Sequence, residues 1–130
     1  MKRYGYFMLL FQFFLLTGWS SAADTKVITA EAVYYKNDVE VRGYLARPDD
    51  DQKHPGLILI HEWWGLNDNI RKNAEKFAQL GYVALAIDLY VGKSTTVPDE
   101  ARKLATNVRK NMDEAFRNMK RTVTFLSKHL

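Results

Sequence analysis

Two segments with alternating apolar and polar residues come first among the elements that the sequence predicts. They are residues 27–35 and 39–47, both rich in valine and tyrosine. In the second, Val39, Val41, Gly43 and Leu45 alternate with polar or amphipathic residues, which is typical of a half-buried β-strand. Residues 36–38, Lys-Asn-Asp, are a turn signal between the two. The pattern therefore predicts a β-hairpin.

Residues 56–60, Gly-Leu-Ile-Leu-Ile, are apolar at every position instead of every second one. This predicts a strand of a parallel sheet with helices over both faces. Residues 68–80 follow a helical period, with Asn67 or Asp68 as the N-cap and Gly81 as the stop. The residues predicted to share one face of this helix are Ile70, Ala74, Phe77 and Ala78. Residues 82–87 predict a second buried strand, so the three elements form a βαβ unit.

Two further helices are predicted after this unit. Pro98, with Asp99 and Glu100 behind it, is typical of a helix start, and the apolar face that follows comprises Ala101, Leu104, Ala105 and Val108. The last helix begins near Met112. Its predicted apolar stripe, interpreted as core packing, comprises Met112, Ala115, Phe116, Met119, Val123, Leu126 and Leu130. In an α/β fold a further strand is expected after such a helix, so the predicted sheet is incomplete.

The first 23 residues have the layout of a secretory signal peptide. Lys2 and Arg3 precede an apolar run over residues 6–16, and small residues follow at 20–23. The run is shorter than the roughly 18 residues that span a bilayer, which disfavours the alternative of an uncleaved anchor. We therefore expect cleavage after Ala22 or Ala23 and a periplasmic or secreted domain over residues 24–130, without stable membrane insertion.

Composition narrows the function classes. The formal net charge is +4, and the chain contains no cysteine. Acidic and basic residues are interleaved, and no basic stripe carries aromatic stacking residues, so nucleic acid is not an expected partner. Without cysteine there is neither a disulfide framework nor a lipid attachment point, and stability must come from the apolar core.

Several motifs that would indicate catalysis or cofactor binding fail on their spacing. His61-Glu62 would need a second histidine at position 65 to form a zinc-protease motif, but that residue is Gly65. Residues 92–95, Gly-Lys-Ser-Thr, would need a glycine at position 87 to form a P-loop. No Gly-x-Ser-x-Gly or Gly-x-Cys-x-Gly is present. The sequence therefore predicts no metal and no cofactor, and His54 and His129 are interpreted as surface residues.

Glu62 is the strongest candidate for chemistry. It follows the most apolar strand directly, and active sites of open α/β sheets lie at the carboxyl ends of the strands. Beside Trp63 and Trp64 its carboxylate is expected to be partly desolvated. The alternative is a loop acid that caps the next helix or pairs with Arg71, with the two tryptophans covering the end of the sheet.

Two segments together resemble the dienelactone hydrolase family of α/β-hydrolases. They are residues 55–67, which contain His-Glu-Trp-Trp-Gly, and residues 81–90, which end in Asp-Leu-Tyr. The resemblance implies that Glu62 helps to convert a nucleophile to its reactive form and that the Trp63 backbone N–H contributes to the oxyanion hole. It also implies that Trp64 and Tyr90 line or support a substrate site.

The resemblance covers the N-terminal half of such a domain and leaves two functions open. The family's cysteine, aspartate and histidine lie beyond the matching residues, so the nucleophile, cysteine or serine, is not among these 130 residues. One function is part of an enzyme that cleaves a small ester or lactone through an acyl-enzyme. The alternative is a catalytically inactive module that binds a partner or self-associates through the exposed edge of residues 57–60.

Overall fold

The computed structural model of the chain describes residues 25–36 and 40–129, which form four strands and three helices. The predicted signal peptide lies outside these residues, as do residues 37 and 38 of the predicted turn, whereas Lys36 belongs to the first strand. The elements are β1 (Val27–Lys36), β2 (Glu40–Pro48), β3 (Gly56–Ile60), α1 (Asp68–Gln79), β4 (Val83–Ile87), α2 (Pro98–Lys110) and α3 (Met112–Leu126). In this part of the chain, no helix has the length and apolar character that crossing a bilayer requires.

The four strands form one mixed sheet in the order β1-β2-β4-β3. β1 and β2 pair antiparallel, as the hairpin prediction requires, with a register shift between Val33 and Tyr35. β2 also pairs antiparallel with β4, and β3 pairs parallel with β4, so Leu85 faces Leu45 on one side and Ile58 on the other. The predicted βαβ unit of β3, α1 and β4 is confirmed, and the hairpin extends its sheet beyond β4.

β4 separates two apolar cores because its successive side chains point to opposite faces of the sheet. Val83, Leu85 and Ile87 belong to the core that includes Leu126 of α3. Ala84 and Ala86 belong to the core under α1, which also contains Ala46, Ile70, Ala74 and Ala78. Alanine on both surfaces lets the backbone of α1 approach the sheet closely. The bulky residues of β4 therefore point toward α3, and its small residues point toward α1.

The ends of α1 follow the predicted capping chemistry. The Asn67 side chain accepts from the backbone N–H groups of Asn69 (3.1 Å) and Ile70 (3.3 Å), so Asn67, rather than Asp68, is the cap. Gly81 has a φ of +89°, the left-handed conformation that a helix stop favours. Phe77 does not share the buried face as predicted: it is exposed, and its ring lies perpendicular to the Tyr82 ring with centroids 6.1 Å apart.

The predicted apolar stripe of α3 is wrong in part. Ala115 and Leu126 are buried as expected, but Met112, Phe116 and Val123 are exposed. The buried face instead carries two polar residues, Asn118 and Thr122. The buried face of α3 is thus rotated about the helix axis from the predicted apolar stripe. Leu130, the last residue of that stripe, lies outside the described residues.

Hydrogen bonds explain why the core accepts Asn118. Its Oδ1 accepts from the Tyr34 hydroxyl at 2.7 Å, and its Nδ2 donates to the Asp88 carbonyl at 3.2 Å. The Tyr34 hydroxyl in turn accepts from the Asp88 N–H at 3.1 Å. A buried polar group is tolerated when its partners are present, as here. This polar cluster joins the hairpin, the end of β4 and α3.

The loop before β3 also differs from the prediction. His54 is not a free surface residue: its ring lies within hydrogen-bond distance of the Asp50 carboxylate (2.7 Å) and the Gly81 carbonyl (3.0 Å). The ring therefore ties this loop to the end of α1. β3 itself is only half-buried, and Ile60 is 55% exposed, because β3 pairs on one side only within the described residues.

Candidate functional site

A cavity of about 640 Å³ opens at the carboxyl ends of β3 and β4, where the position of Glu62 predicted a site. The loop after β3, the loop after β4 and one face of α2 form its walls. The lining residues are His61, Glu62, Trp63, Leu89, Tyr90, Arg102, Ala105, Val108 and Arg109. Three of the four predicted site residues, Glu62, Trp63 and Tyr90, therefore share one cavity.

The loop after β3 is a tight turn with a specific requirement for glycine. The Gly65 N–H donates to the Glu62 carbonyl at 3.2 Å, and Gly65 has a φ of +89°. A Cβ at this position would lie 2.5 Å from the Lys93 carbonyl oxygen, and Gly65 also forms a β-bridge with Ser94. Only glycine allows the two loops to approach this closely.

The Glu62 side chain is exposed and lines the cavity. The expected desolvation by the two tryptophans is therefore wrong: the indoles stack on each other instead, with ring centroids 5.2 Å apart. The two structural roles considered for Glu62, capping of α1 and pairing with Arg71, are taken by other described residues. Asn67 caps α1, and Arg71 pairs with Glu31. Neither helix capping nor an ion pair with Arg71 thus accounts for the acid.

Trp63 contributes backbone groups as well as its ring. Its carbonyl accepts from the Tyr90 hydroxyl at 3.2 Å. Within the described chain nothing accepts a hydrogen bond from its N–H. Trp64 does not line the cavity; its ring supports Trp63, and its carbonyl accepts from the Thr95 N–H at 3.1 Å. The cavity wall therefore combines a carboxylate with an available backbone donor.

His61 is buried behind this wall, a role that the sequence did not predict. Its Nδ1 lies 2.7 Å from the Glu62 carbonyl oxygen, and its Nε2 accepts from the Leu89 N–H at 3.1 Å. The imidazole thus bridges the loops after β3 and β4. No pattern in the sequence distinguishes such a histidine from any other at the end of a buried strand.

Asp88 holds the loop after β4 in a strained conformation. Its carboxylate accepts from the N–H groups of Tyr90 (2.8 Å) and Gly92. Between them Val91 has a φ of +53°, which is rare for a β-branched residue. The loop presents the Tyr90 ring to His61, with centroids 4.4 Å apart, and burial raises the pKa of the Tyr90 phenol, an effect that Arg109 opposes. Asp88, like Glu62, is an acid directly after a buried strand, so the same sequence pattern could have identified it.

Arg102 and Arg109 face the cavity from α2. They lie seven residues apart, a spacing that places both on one side of a helix. The sequence pattern could have identified the pair but not the direction in which the helix presents it. Two guanidinium groups in a cavity that also contains a free N–H are suited to a small substrate with an anionic group. No cluster of three or more histidine, cysteine or acidic residues suited to a metal occurs in the described ranges.

Comparisons with known proteins agree with this architecture. A sequence model of the dienelactone hydrolase family matches residues 41–129. Protein usf of Aquifex pyrophilus is 46% identical over 97 residues, which cover 72% of this chain and 41% of that protein. A protein of Aquifex aeolicus, assigned by name as a carboxymethylenebutenolidase, is 41% identical over 97 residues with the same coverage. The chain thus spans less than half the length of these relatives.

A solved structure shares the fold. It is the dienelactone hydrolase-like promiscuous phosphotriesterase P91 from metagenomic libraries. The TM-score is 0.69 at 19% identity, and the superposition covers 78% of this chain and 43% of that one. At this identity the match establishes the fold alone, an α/β-hydrolase sheet of which β1 to β4 form a part.

Proposed function

The chain belongs to the dienelactone hydrolase family, a family of hydrolases, and we propose that it provides part of an active site that cleaves a carboxylic ester or lactone. The observation that carries this proposal is the shared wall of the cavity. There Glu62 and Trp63 line the cavity together, and the Trp63 N–H has no acceptor among the described residues. One group suits proton transfer with a nucleophile, and the other suits an oxyanion.

In the proposed reaction the nucleophile is a cysteine or serine from outside these 130 residues, which contain no cysteine and no Gly-x-Ser-x-Gly. Glu62 favours its deprotonated form. The nucleophile adds to the substrate carbonyl, and the Trp63 N–H donates to the oxygen that becomes negative. Collapse of the adduct expels the alkoxide, which takes the proton that the nucleophile lost, and leaves an acyl-enzyme. Water then adds to the acyl carbonyl. The bond to the nucleophile breaks, the carboxylic acid leaves, and one proton of the water returns to the nucleophile.

The substrate class follows from the opposite wall. Arg109 suits a substrate with a carboxylate away from the scissile bond, and Arg102, whose guanidinium also lies 3.4 Å from the exposed Asp99 carboxylate, adds positive charge to the same wall. The Trp63 ring, stacked on Trp64 behind it, and the half-buried Val108 offer apolar surface for an unsaturated ring. The Aquifex aeolicus relative is named a carboxymethylenebutenolidase, which means an enzyme that acts on a lactone bearing a carboxylate. We therefore propose a small anionic lactone or ester.

A chimaera tests the proposal. Residues 41–129 would replace the matching segment of the Aquifex aeolicus relative, with the unaltered relative assayed in parallel on a carboxylate-bearing lactone and on a neutral ester. We expect the chimaera to hydrolyse the anionic lactone, and Glu62→Gln to lower kcat/KM about a hundredfold, as loss of a proton-transfer group does. Glu100→Gln, an exposed acid paired with Lys103, is the matched control.

Substitution of Arg102 and Arg109 in the chimaera tests the substrate class separately. Arg102→Gln with Arg109→Gln should raise KM for the anionic lactone and leave the neutral ester unchanged. A folded chimaera without turnover beside an active relative would contradict the proposal, as would full activity in Glu62→Gln. The 130-residue chain alone should show no turnover on either substrate.

The exposed edge of β3 supports a second candidate function, self-association. Ile60 is 55% exposed, and β3 pairs only with β4 within the described part of the chain. An apolar strand with a free edge can add a strand from another chain. In this case the chain is a binding module, and Ile60→Lys should reduce its mass in light scattering from that of a dimer to that of a monomer. A wild-type monomer would exclude this candidate.

We also propose that the domain is exported to the periplasm or secreted. The support is the basic, apolar and small-residue layout of residues 1–23. Expression of the chain in a bacterial host, followed by mass spectrometry of the exported fraction, should find a new N-terminus at Ala23 or Asp24. An intact N-terminus in the cytoplasmic fraction would contradict export.

A further inference from the structure

The peptide group between Glu62 and Trp63 lies in the cavity wall. Its carbonyl accepts hydrogen bonds, and its N–H donates to no described residue. The carbonyl of Glu62 and the N–H of Trp63 belong to the same planar unit, and no peptide bond among the described residues is cis. In a trans peptide the C=O and N–H point in opposite directions. Whatever fixes the Glu62 carbonyl therefore also fixes the direction of the Trp63 N–H.

The Glu62 carbonyl has two donors. His61 Nδ1 lies 2.7 Å from its oxygen, and the Gly65 N–H lies at 3.2 Å. The Gly65 bond closes the turn within the loop itself. The shorter contact comes from the imidazole of His61, which directly follows β3. Because the imidazole is anchored at the end of the strand, this contact orients the Glu62–Trp63 peptide relative to β3.

The imidazole can act this way because it is itself held. The His61 side chain is 2% exposed. Its Nε2 accepts from the Leu89 N–H, so Nε2 carries no proton and the ring proton lies on Nδ1, directed at the Glu62 carbonyl. The Asp88 carboxylate is 3.9 Å from Nε2 but is occupied by the N–H groups of Tyr90 and Gly92. One tautomer is thus selected.

We infer that His61 is a positioning residue: through the Glu62 carbonyl it orients the Trp63 N–H toward the cavity. A hydrogen bond accepted at a carbonyl also polarises the N–H of the same peptide and makes it a stronger donor. The inference rests on the proposed function only in the use of that N–H as an oxyanion donor. The competing explanation is a buried histidine that merely satisfies its own nitrogens.

Two isosteric substitutions separate these explanations in the 130-residue chain. Asparagine places an amide nitrogen near the position of Nδ1, and glutamine places an amide oxygen near the position of Nε2. His61→Asn therefore keeps the donor to the Glu62 carbonyl and loses the acceptor for Leu89. His61→Gln keeps the Leu89 contact and loses that donor. His129→Asn and His129→Gln, at an exposed histidine, are the matched controls.

The measurement is nuclear magnetic resonance on ¹⁵N-labelled protein. In the wild type we expect the His61 ring proton on Nδ1. In His61→Gln the Trp63 amide resonance should move and the Gly65 amide should exchange with solvent about three- to tenfold faster, the range for one lost neutral hydrogen bond. In His61→Asn these two amides should stay near their wild-type values, and the Leu89 amide should exchange faster.

Equal effects of the two substitutions on Trp63 and Gly65, or a ring proton on Nε2, would overturn the inference. Because the wild-type tautomer is read without any variant, the inference stays testable if a variant fails to fold. The magnetic resonance test does not depend on turnover, so its outcome is independent of the outcome for the proposed hydrolase function. An inactive chimaera with the asparagine–glutamine difference intact would remove the hydrolase role and leave the positioning role of His61.

Discussion

β3 and β4 are adjacent parallel strands with equally apolar sequences, yet only β4 is buried at every position. Ile60 and Ile87 face each other across this pair, and Ile60 is 55% exposed whereas Ile87 is 0% exposed. The difference arises from neighbours: β4 lies between β2 and β3, while β3 pairs only with β4 in the described sheet. Apolar composition therefore identifies a strand, but its place in the sheet decides how much its side chains stabilise the fold.

Truncating the two isoleucines should give the largest difference. We expect Ile87→Ala to lower the free energy of unfolding by about 2–5 kcal/mol, because it leaves a cavity in the core. Ile60→Ala should cost less than about 1 kcal/mol, as for other exposed positions. Urea denaturation followed by circular dichroism measures both. Similar losses would show that β3 is covered in solution, as self-association would require.

The loops after the two strands extend the comparison through their glycines. Gly65→Ala combines a positive φ with a Cβ 2.5 Å from the Lys93 carbonyl, so it should cost about 2–5 kcal/mol. Gly92 has a φ of +81°, but a Cβ there would have no atom within 4 Å, so Gly92→Ala should cost only the backbone strain of about 1 kcal/mol. Urea unfolding compares the two. A larger loss for Gly92→Ala would mean that the loop after β4 is the more constrained.

The carboxyl end of β4 depends on the Tyr34 hydroxyl. Tyr34→Phe leaves the Asp88 N–H and the Asn118 Oδ1 without a partner and should cost about 1–3 kcal/mol at neutral pH. Tyr82→Phe, at a half-buried tyrosine, is the control. Equal losses for the two variants would contradict a special role for the buried hydroxyl.

The same substitution has a pH signature. Burial raises the pKa of Tyr34 from 10.0 to about 12, so the folded state holds the phenol proton more tightly than the unfolded state. This contribution is complete below pH 10.0 and is lost as the pH rises toward about 12. The stability difference between wild type and Tyr34→Phe should therefore narrow over that interval in urea titrations. A constant difference would contradict this assignment.

The loop before β3 should give the smallest effect. The hydrogen bond from His54 lowers the pKa of the Asp50 carboxyl below its ordinary value of 3.8. The stabilisation is therefore present above that value and is lost as the pH falls through the lowered pKa of the folded state. Asp50→Asn should lower Tm slightly at pH 6, and the gap should close in acid. Asp51→Asn, in the same exposed loop, is the control.

The sequence predicted local patterns well and distant partners poorly. The hairpin, the βαβ unit and the capped α1 follow from periods and caps that lie within a few residues of each other. The stripe on α3 was misplaced because Asn118 is satisfied by Tyr34, 84 residues away, and no local pattern reveals such a partner. The position of Glu62 in a cavity was predictable from its strand. His61 was not, because its role depends on Leu89, which the fold brings close.

The strand order has a consequence for the timing of folding. β2 pairs with β1 along one edge and with β4 along the other, and about 35 residues separate the end of β2 from the start of β4. At about 5–20 residues per second, the ribosome needs roughly 2–7 seconds to synthesise that interval. During it the edge of β2 that later pairs with β4 is free, so a nascent chain is open to contact with chaperones there until β4 emerges and covers it.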